Sequence, residues 1–426
     1  SGGYIERDQQ GTANSFNYNY WTSSIGPITI EGTANGVAST NANFTIGGIL
    51  EDGTVSSVPA TLNFSPSYNV NDSGSTSPNK TISTYWLYKF YGTDSDYNSW
   101  VAIDQNSSLL PGEGYTMKGT SGSVSIATQQ NYVFKGKPYN GDFTLPIVSG
   151  NDRLIGNPYP SAMDADEFIK DNISTVNGGR NTSGNIFNGA LYYWDHFGEI
   201  NTHILKEYVG GYATYTLMGG AKAYANDTRI NATGGSGTKI PKRYIPVNQG
   251  FFVIAVTDTL KNSLQAPIVI SGGDIVFKNS QRVFKTEVSG SSVFMKSAVN
   301  KKRTTNADII STTTNEISNT ELDTRPKIWL EYISPEGYHR QLLAGVDENT
   351  SNHFDIGYDG PMADLNKEDM YWKVDGGKFV IQAVNNFNQN QELPLGLNVA
   401  KDGLASIKID SLANIDNNTN FYIKAI

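Results

Sequence analysis

The chain has 426 residues, no cysteine and a formal net charge of −9. That excludes disulfide staples, thiolate zinc sites and a cysteine nucleophile, and argues against a nucleic-acid partner, whose phosphates need clustered Lys and Arg. Only 17% of residues are charged, while 43 glycines, 24 tyrosines and 18 phenylalanines point to short strands and tight turns in roughly two to four domains.

Residues 1–140 read as a first β-domain. Ser15 to Trp21 (SFNYNYW) alternates aromatic and polar residues, the period of a half-buried strand. Asn43 to Leu50, Thr61 to Phe64, Thr84 to Phe90 and Trp100 to Ile103 are expected to be strands as well. Asp52-Gly53 is a hairpin signal. The turn Pro111-Gly112-Glu113-Gly114 leads into Tyr115-Thr116-Met117, and Gln130 to Lys135 closes the unit.

Residues 141–296 repeat this plan as a second domain, with an insert at about 210–243. Tyr192-Tyr193-Trp194 echoes Tyr85 to Tyr88, and Pro246 to Val253 (PVNQGFFV) echoes Pro111 to Met117. Asp274 to Asn279 echoes Asn131 to Gly136, and Asn157 to Ser161 echoes Tyr20 to Ser23. Near its start lies the stretch LIGNPYPSAMDADEFIKDN, Leu154 to Asn172. The two prolines fix a rigid turn. Asp164 stands three residues before Glu167, the spacing of a capping box, ahead of apolar Phe168 and Ile169. One short helix is expected there, and capping explains Asp164, Asp166 and Glu167 without an acidic site.

Residues 297–325 are polar and low in aromatics, a linker. Residues 326–426 form a third unit, a C-terminal β-sandwich of strands at 327–333, 338–344, 370–374, 378–383, 395–399, 405–409 and 421–423. The chain stops just after the last of these with no closing cap, so a further segment is expected beyond Ile426. Ser1 is no initiator methionine and the sequence does not open on a signal peptide, so the chain is expected to be a mature or excised piece of something longer. No run of 18 apolar residues offers a transmembrane helix. The fold class expected is all-β: tandem β-sandwich or jelly-roll-like domains with one short helix after the GNPYP turn.

No catalytic motif stands out. There is no GxSxG elbow, P-loop or HExxH pair. His196 and His203 lie seven residues apart near Asp195 and Glu199 but match no ligand spacing; His339 and His353 are isolated. Asp195, Glu199 and Glu207 beside Trp194 are the carboxylates a glycosidase would draw on, but the polar faces of strands and turns are the favoured account of them. Asp347, Asp355, Asp359 and Asp364 are weak calcium candidates whose spacing is not that of an EF-hand. Trp100, Trp194 and Trp372 are weak sugar-stacking candidates, set against the commoner fate of a core indole. No catalytic residue and no cofactor is expected, calcium being the one cofactor with candidate ligands.

The segments GNPYPSAMDADEFI, YIPVNQGFFVI, DIVFKNSQRVF, SSVFM, DTRPKIWLEYISPEGYHRQLL and ELPLGLNVAKDG resemble, in order, the C-terminal β-domain regions of large Bacteroidetes-type surface proteins exported by the type IX secretion system. The resemblance implies β-domains preceding a type A sorting domain, whose remainder is not evident here. It implies a secreted protein on the outer face of the outer membrane. Its partners would be the type IX translocon and its outer-membrane shuttle barrel, engaged through a C-terminal segment, with surface polysaccharide or host and substratum ligands besides. The function so implied is non-catalytic: an adhesin-like or stalk region. The alternative is an accessory, carbohydrate-binding region of a secreted polysaccharide-degrading enzyme or peptidase.

Overall fold

Strands make up 43% of the described residues and helices 7%, so hydrogen-bonded sheets carry the fold, as the composition implies. The computed structural model describes residues 3–28, 41–70, 79–196, 202–204, 210–224, 239–256, 269–287, 290–295, 323–364, 366–416 and 418–424. The expected linker lies outside these residues except for its last three. No helix is long and apolar enough to cross a membrane among the described residues.

The first part of the chain supplies β1 (Ile5–Thr12), β2 (Tyr18–Trp21), the one-turn helix α1 (Ile46–Ile49), β3 (Tyr88–Gly92), β4 (Trp100–Ala102), β5 (Tyr115–Lys118) and β6 (Gln129–Pro138). The second supplies β7 (Phe143–Val148), β8 (Asp152–Gly156), α2 (Ala165–Asn172), β9 (Leu191–His196), β10 (Gly210–Thr216), β11 (Gly219–Ala221), β12 (Gly250–Ile254) and β13 (Gly272–Phe277). The third supplies β14 (Lys327–Ile333), β15 (His339–Val346), β16 (Asp369–Val374), β17 (Gly377–Val384), β18 (Leu395–Asn398) and β19 (Ser406–Ala413).

The first two parts use one pairing scheme twice. β1 pairs with β6 as β7 pairs with β13. β5 lies between β2 and β3 as β12 lies between β8 and β9. The outer neighbours β4 and β10 flank β3 and β9. The turn before β5 and the turn before β12 occupy matching places, and each contains a left-handed residue, Gly112 at φ 80 and Asn248 at φ 64. Gly112 O accepts from Gly156 N, and Asn248 O accepts from Thr22 N, both at 3.0 Å. Two other echoes are offset. Pairing aligns Tyr192 with Tyr88 rather than with Tyr85, and Leu154, not Asn157, with Tyr20.

One nine-stranded sheet crosses the boundary placed at residue 140. Its order is β11-β10-β9-β12-β8-β3-β5-β2, with β4 on β3. The sheet curls back on itself as a half-barrel. Three strands separate β12 from β2 along the ladder, yet Trp21 bridges Gln249 directly, and Glu113 bridges Ile155 at the matching place. Glycines allow these crossings. A Cβ on Gly250 would lie 2.7 Å from Tyr20 C, and one on Gly156 would lie 2.5 Å from Gln249 O.

Strand alternation gives this sheet two faces. Trp21, Tyr115, Met117 and Leu87 face a first core with Tyr132 and Phe134 of β6 and with Ile46 and Ile49 of α1. Ile155, Leu191, Tyr193, Phe251 and Val253 face a second core that includes Phe168 and Ile169 of α2. The remaining strand positions, Tyr20, Phe90, Leu154, Tyr192 and Phe252, form a third cluster on the opposite face.

The helix after GNPYP starts where the capping residues place it. The Asp164 carboxylate accepts from Asp166 N and Glu167 N, and it also holds Arg243 through two nitrogens. Asp164→Ala is therefore expected to lower stability by about 1–2 kcal/mol, the usual cost of an N-cap. Urea unfolding measures it; an unchanged midpoint would show that the cap is dispensable.

Other expected strands differ. Ile46–Ile49, inside the expected strand 43–50, is helical, because Gly47-Gly48 lets the chain turn and both isoleucines pack inward. Thr84–Trp86 is a 3-10 turn that precedes β3. Phe421 to Ile423 forms no strand, and Tyr422 is exposed. The third unit forms a seven-stranded sheet, β18-β16-β17-β15-β14-β19, with Gly360–Pro361 on β17. Its apolar face shares one core with the second part: Leu343, Ile381 and Trp372 cluster with Leu217, Met218 and Ala221.

Candidate functional site: an aromatic patch with acids at one end

The third cluster differs from the other two in being partly open. Tyr20, Phe90 and Phe252 are buried, while Tyr18, Trp100, Trp194 and Tyr212 around them are half-buried. The duplicated pairing puts these rings together. Phe90 faces Trp100 across β3 and β4, and Trp194 faces Tyr212 across β9 and β10. Both pairs meet edge to face, with centroids 4.9 Å and 5.3 Å apart. Tyr20 joins them, stacked on Trp194 at 6.1 Å and tilted against Trp100 at 6.3 Å. Its hydroxyl lies 3.2 Å from that of Tyr212.

Acids stand at one end. Asp152 begins β8 on the same face as Leu154, and it is 7% exposed. Its Oδ1 has no hydrogen-bond partner among the described residues. Burial, with the nearby charge of Asp94, pushes its carboxyl up to about 7. Asp94, Asp152 and Asp364 all bear on the Tyr212 hydroxyl, which burial and those charges hold well above the usual phenol range. The Trp194 indole N–H is a second buried polar atom with no partner among the described residues.

At the other end the sheet supplies its own amine. Lys118 Nζ lies 3.5 Å from the centre of the Trp86 ring and 4.6 Å from that of Tyr18. His203 stacks on Trp86 at 4.8 Å, and its Nδ1 lies 3.0 Å from Lys118 Nζ. Burial pulls Lys118 down to about 6. Burial and then Lys118 pull His203 down to about 4 and His196 to about 3. An aromatic cage of this kind takes a cation, and here a side chain of the same chain fills it.

Of the sugar-stacking candidates, the structure brings Trp100 and Trp194 together. Trp372 is a core residue whose Nε1 donates to Leu343 O at 2.9 Å, so no sugar reaches it. Asp195 points to the face opposite Trp194 and accepts from Lys239 N, which separates it from the ring it was grouped with. Glu199 and Glu207 lie outside the described residues. His196 Nδ1 accepts from Tyr18 N, whereas His203 meets Lys118, so the two histidines do different work.

The four calcium candidates serve separate local bonds. Asp347 holds Arg325, Asp355 caps Ser351, Asp359 accepts from Ala383 N and Asp355 N, and Asp364 meets Arg340. No group of three or more potential ligands converges among the described residues. Sequence reading missed Asp94, Asp152, Tyr20 and Tyr212 as neighbours. They come from four distant segments: the pairing of β8 with β3 sets Asp152 beside the Asp94 turn, and the curl of the sheet brings Tyr20 to Tyr212.

A family model described as "Domain of unknown function (DUF8693)" matches residues 22–425. No curated protein and no solved structure matches the chain.

Proposed function

The chain belongs to that family, and we propose that it acts outside the cell as a non-catalytic, adhesin-like β-module that binds saccharide through its aromatic patch. The observation that carries the reading is the set of half-buried rings, Trp100, Trp194 and Tyr212, over buried Tyr20, Phe90 and Phe252. Flat indole and phenol faces offer apolar area and a polar tip together, which suits the faces and hydroxyls of sugar rings. The Trp194 N–H and the Asp152 Oδ1, both buried and without a partner among the described residues, leave a donor and an acceptor of the cluster unanswered. Many weak copies of such a site on a cell surface add up to firm attachment. The resemblance of the GNPYP and PVNQGFFV segments supports export by the type IX system, with docking to the translocon and shuttle barrel through a C-terminal segment. It also supports a place on the outer face of the outer membrane.

A polysaccharide and oligosaccharide array tests the reading. The protein is expected to bind a subset of glycans, and Trp100→Ala to weaken that binding about tenfold, the equivalent of 1.4 kcal/mol. A wild-type protein that binds no glycan, or a Trp100→Ala variant that binds as tightly, would overturn it. A second reading rests on Asp152, whose raised pKa beside Asp94 is also what a general acid of glycoside hydrolysis needs. Release of new reducing ends from bound glycans would favour catalysis over adhesion.

A further inference from the structure

Charge at the acidic end of the patch narrows the ligand. Asp152 is nearly fully buried, and its charged neighbour is another acid, Asp94. A buried carboxylate without a cation is costly, and folded proteins normally pair it. The cations nearest in sequence are committed elsewhere. Arg153 points to the opposite face of β8, where it and Lys89 hold Glu113, each at 3.3 Å. Arg340, which touches Asp364, is bound through two nitrogens to Asp369. Lys118 sits in its own cage at the far end. The acids therefore face the rings with no counter-charge among the described residues, while the ring faces of Trp100, Trp194 and Tyr212 themselves attract cations. A bare divalent ion does not fit, since no three ligands converge there among the described residues.

Resting on the saccharide reading above, we infer that the ligand is a cationic saccharide, an amino sugar whose protonated amine sets against Asp152 and Asp94 while its ring stacks on the indole faces. A protonated amine answers the Asp152 carboxylate, whose Oδ1 has no partner among the described residues, with a charge-assisted hydrogen bond. It also explains why the patch carries acids at one end only: the amine fixes the direction in which the sugar chain lies. The groups that face Asp152 are Asp94 and the hydroxyls of Tyr192 and Tyr212. In the empty protein Asp152 takes up a proton below about pH 7. Affinity for the amine is therefore expected to rise as pH rises from 5 towards 7, and to fall again as the amine loses its proton.

Calorimetric titration with three oligomers of equal length tests this: glucosamine, N-acetylglucosamine and glucose. Glucosamine is expected to bind at least tenfold more tightly than the other two. Asp152→Asn is expected to erase that preference and leave neutral binding in place, with Asp94→Asn reducing it in part. Equal binding of all three, or a preference that survives Asp152→Asn, overturns the amine and leaves the saccharide reading standing. Binding of none also overturns the amine, and the array then decides the saccharide reading separately. The variant also reports on folding. Asp152 holds its proton more tightly folded than unfolded, so its contribution to stability is present at low pH and is lost as pH rises through about 7. Asp152→Asn, which cannot ionise, is expected to be the more stable protein at pH 8.

Discussion

Arg340→Ala is expected to destabilise the protein by about 3–5 kcal/mol. Arg340 and Asp369 are both fully buried, and the guanidinium bonds the carboxylate through Nε at 2.7 Å and Nη2 at 2.9 Å. Truncating the arginine leaves the carboxylate without its counter-charge in a dry interior, and that uncompensated charge is the main cost. The same guanidinium lies 4.9 Å from the centre of the Tyr224 ring, and the Tyr224 hydroxyl donates to Glu368 O at 2.8 Å. The pair thus helps fasten the second part of the chain to the third, and its loss is expected to loosen both. Removing both charges in an Arg340→Met, Asp369→Leu double variant should recover much of the stability, because no buried ion then remains. Chemical unfolding of the three proteins measures this. A single variant within about 1 kcal/mol of wild type would show that solvent reaches the pair.

Gly250→Ala is the second large effect, expected to cost about 1–3 kcal/mol. The added carbon would lie 2.7 Å from Tyr20 C and 2.8 Å from Trp21 N, both main-chain atoms in a strand that cannot step aside. Glycine is required here by the close crossing of β2 and β12 and not by a left-handed backbone. Gly114 stands at the matching place, with Ile155 O at 2.9 Å. Because the crossing closes the sheet beneath the aromatic patch, Gly250→Ala is expected to weaken glycan binding as well. Gly3→Ala, with nothing within 4 Å, is the control. A Gly250→Ala protein as stable as this control would contradict the crossing.

Much of this was legible in the chain because it is local. Alternation in Tyr18 to Trp21 and in Leu191 to His196 gives strands directly. Asp164 before Glu167 gives the helix start, and the similarity of PGEG to VNQG gives the duplication. The errors have local causes too. Gly47-Gly48 turns an apparent strand into a helix, and Tyr85-Trp86 belongs to a 3-10 turn although it mimics the aromatic run of β9. The site was only half legible. Trp100 and Trp194 stand out as aromatic, but what makes them a site is Tyr20, Tyr212, Asp94 and Asp152. Those residues have no common spacing. Asp94 and Asp152 meet because β8 pairs with β3, and Tyr20 and Tyr212 because β12 crosses back to β2 across three intervening strands, long-range pairings that periodicity does not encode. Trp372 shows the converse: its alternating strand looks like that of Trp194, but the third sheet packs on the second part and buries it.

Hydroxyl-radical footprinting with and without saturating oligosaccharide, the glycan being taken from the array, tests the central claim most directly. Protection is predicted at Trp100, Trp194 and Tyr212, with no change at Phe284 and Tyr422, each 87% exposed and outside the ring cluster. Protection confined to other residues, with those three rings oxidised as fast as in the free protein, would contradict the claim that this patch is the binding surface.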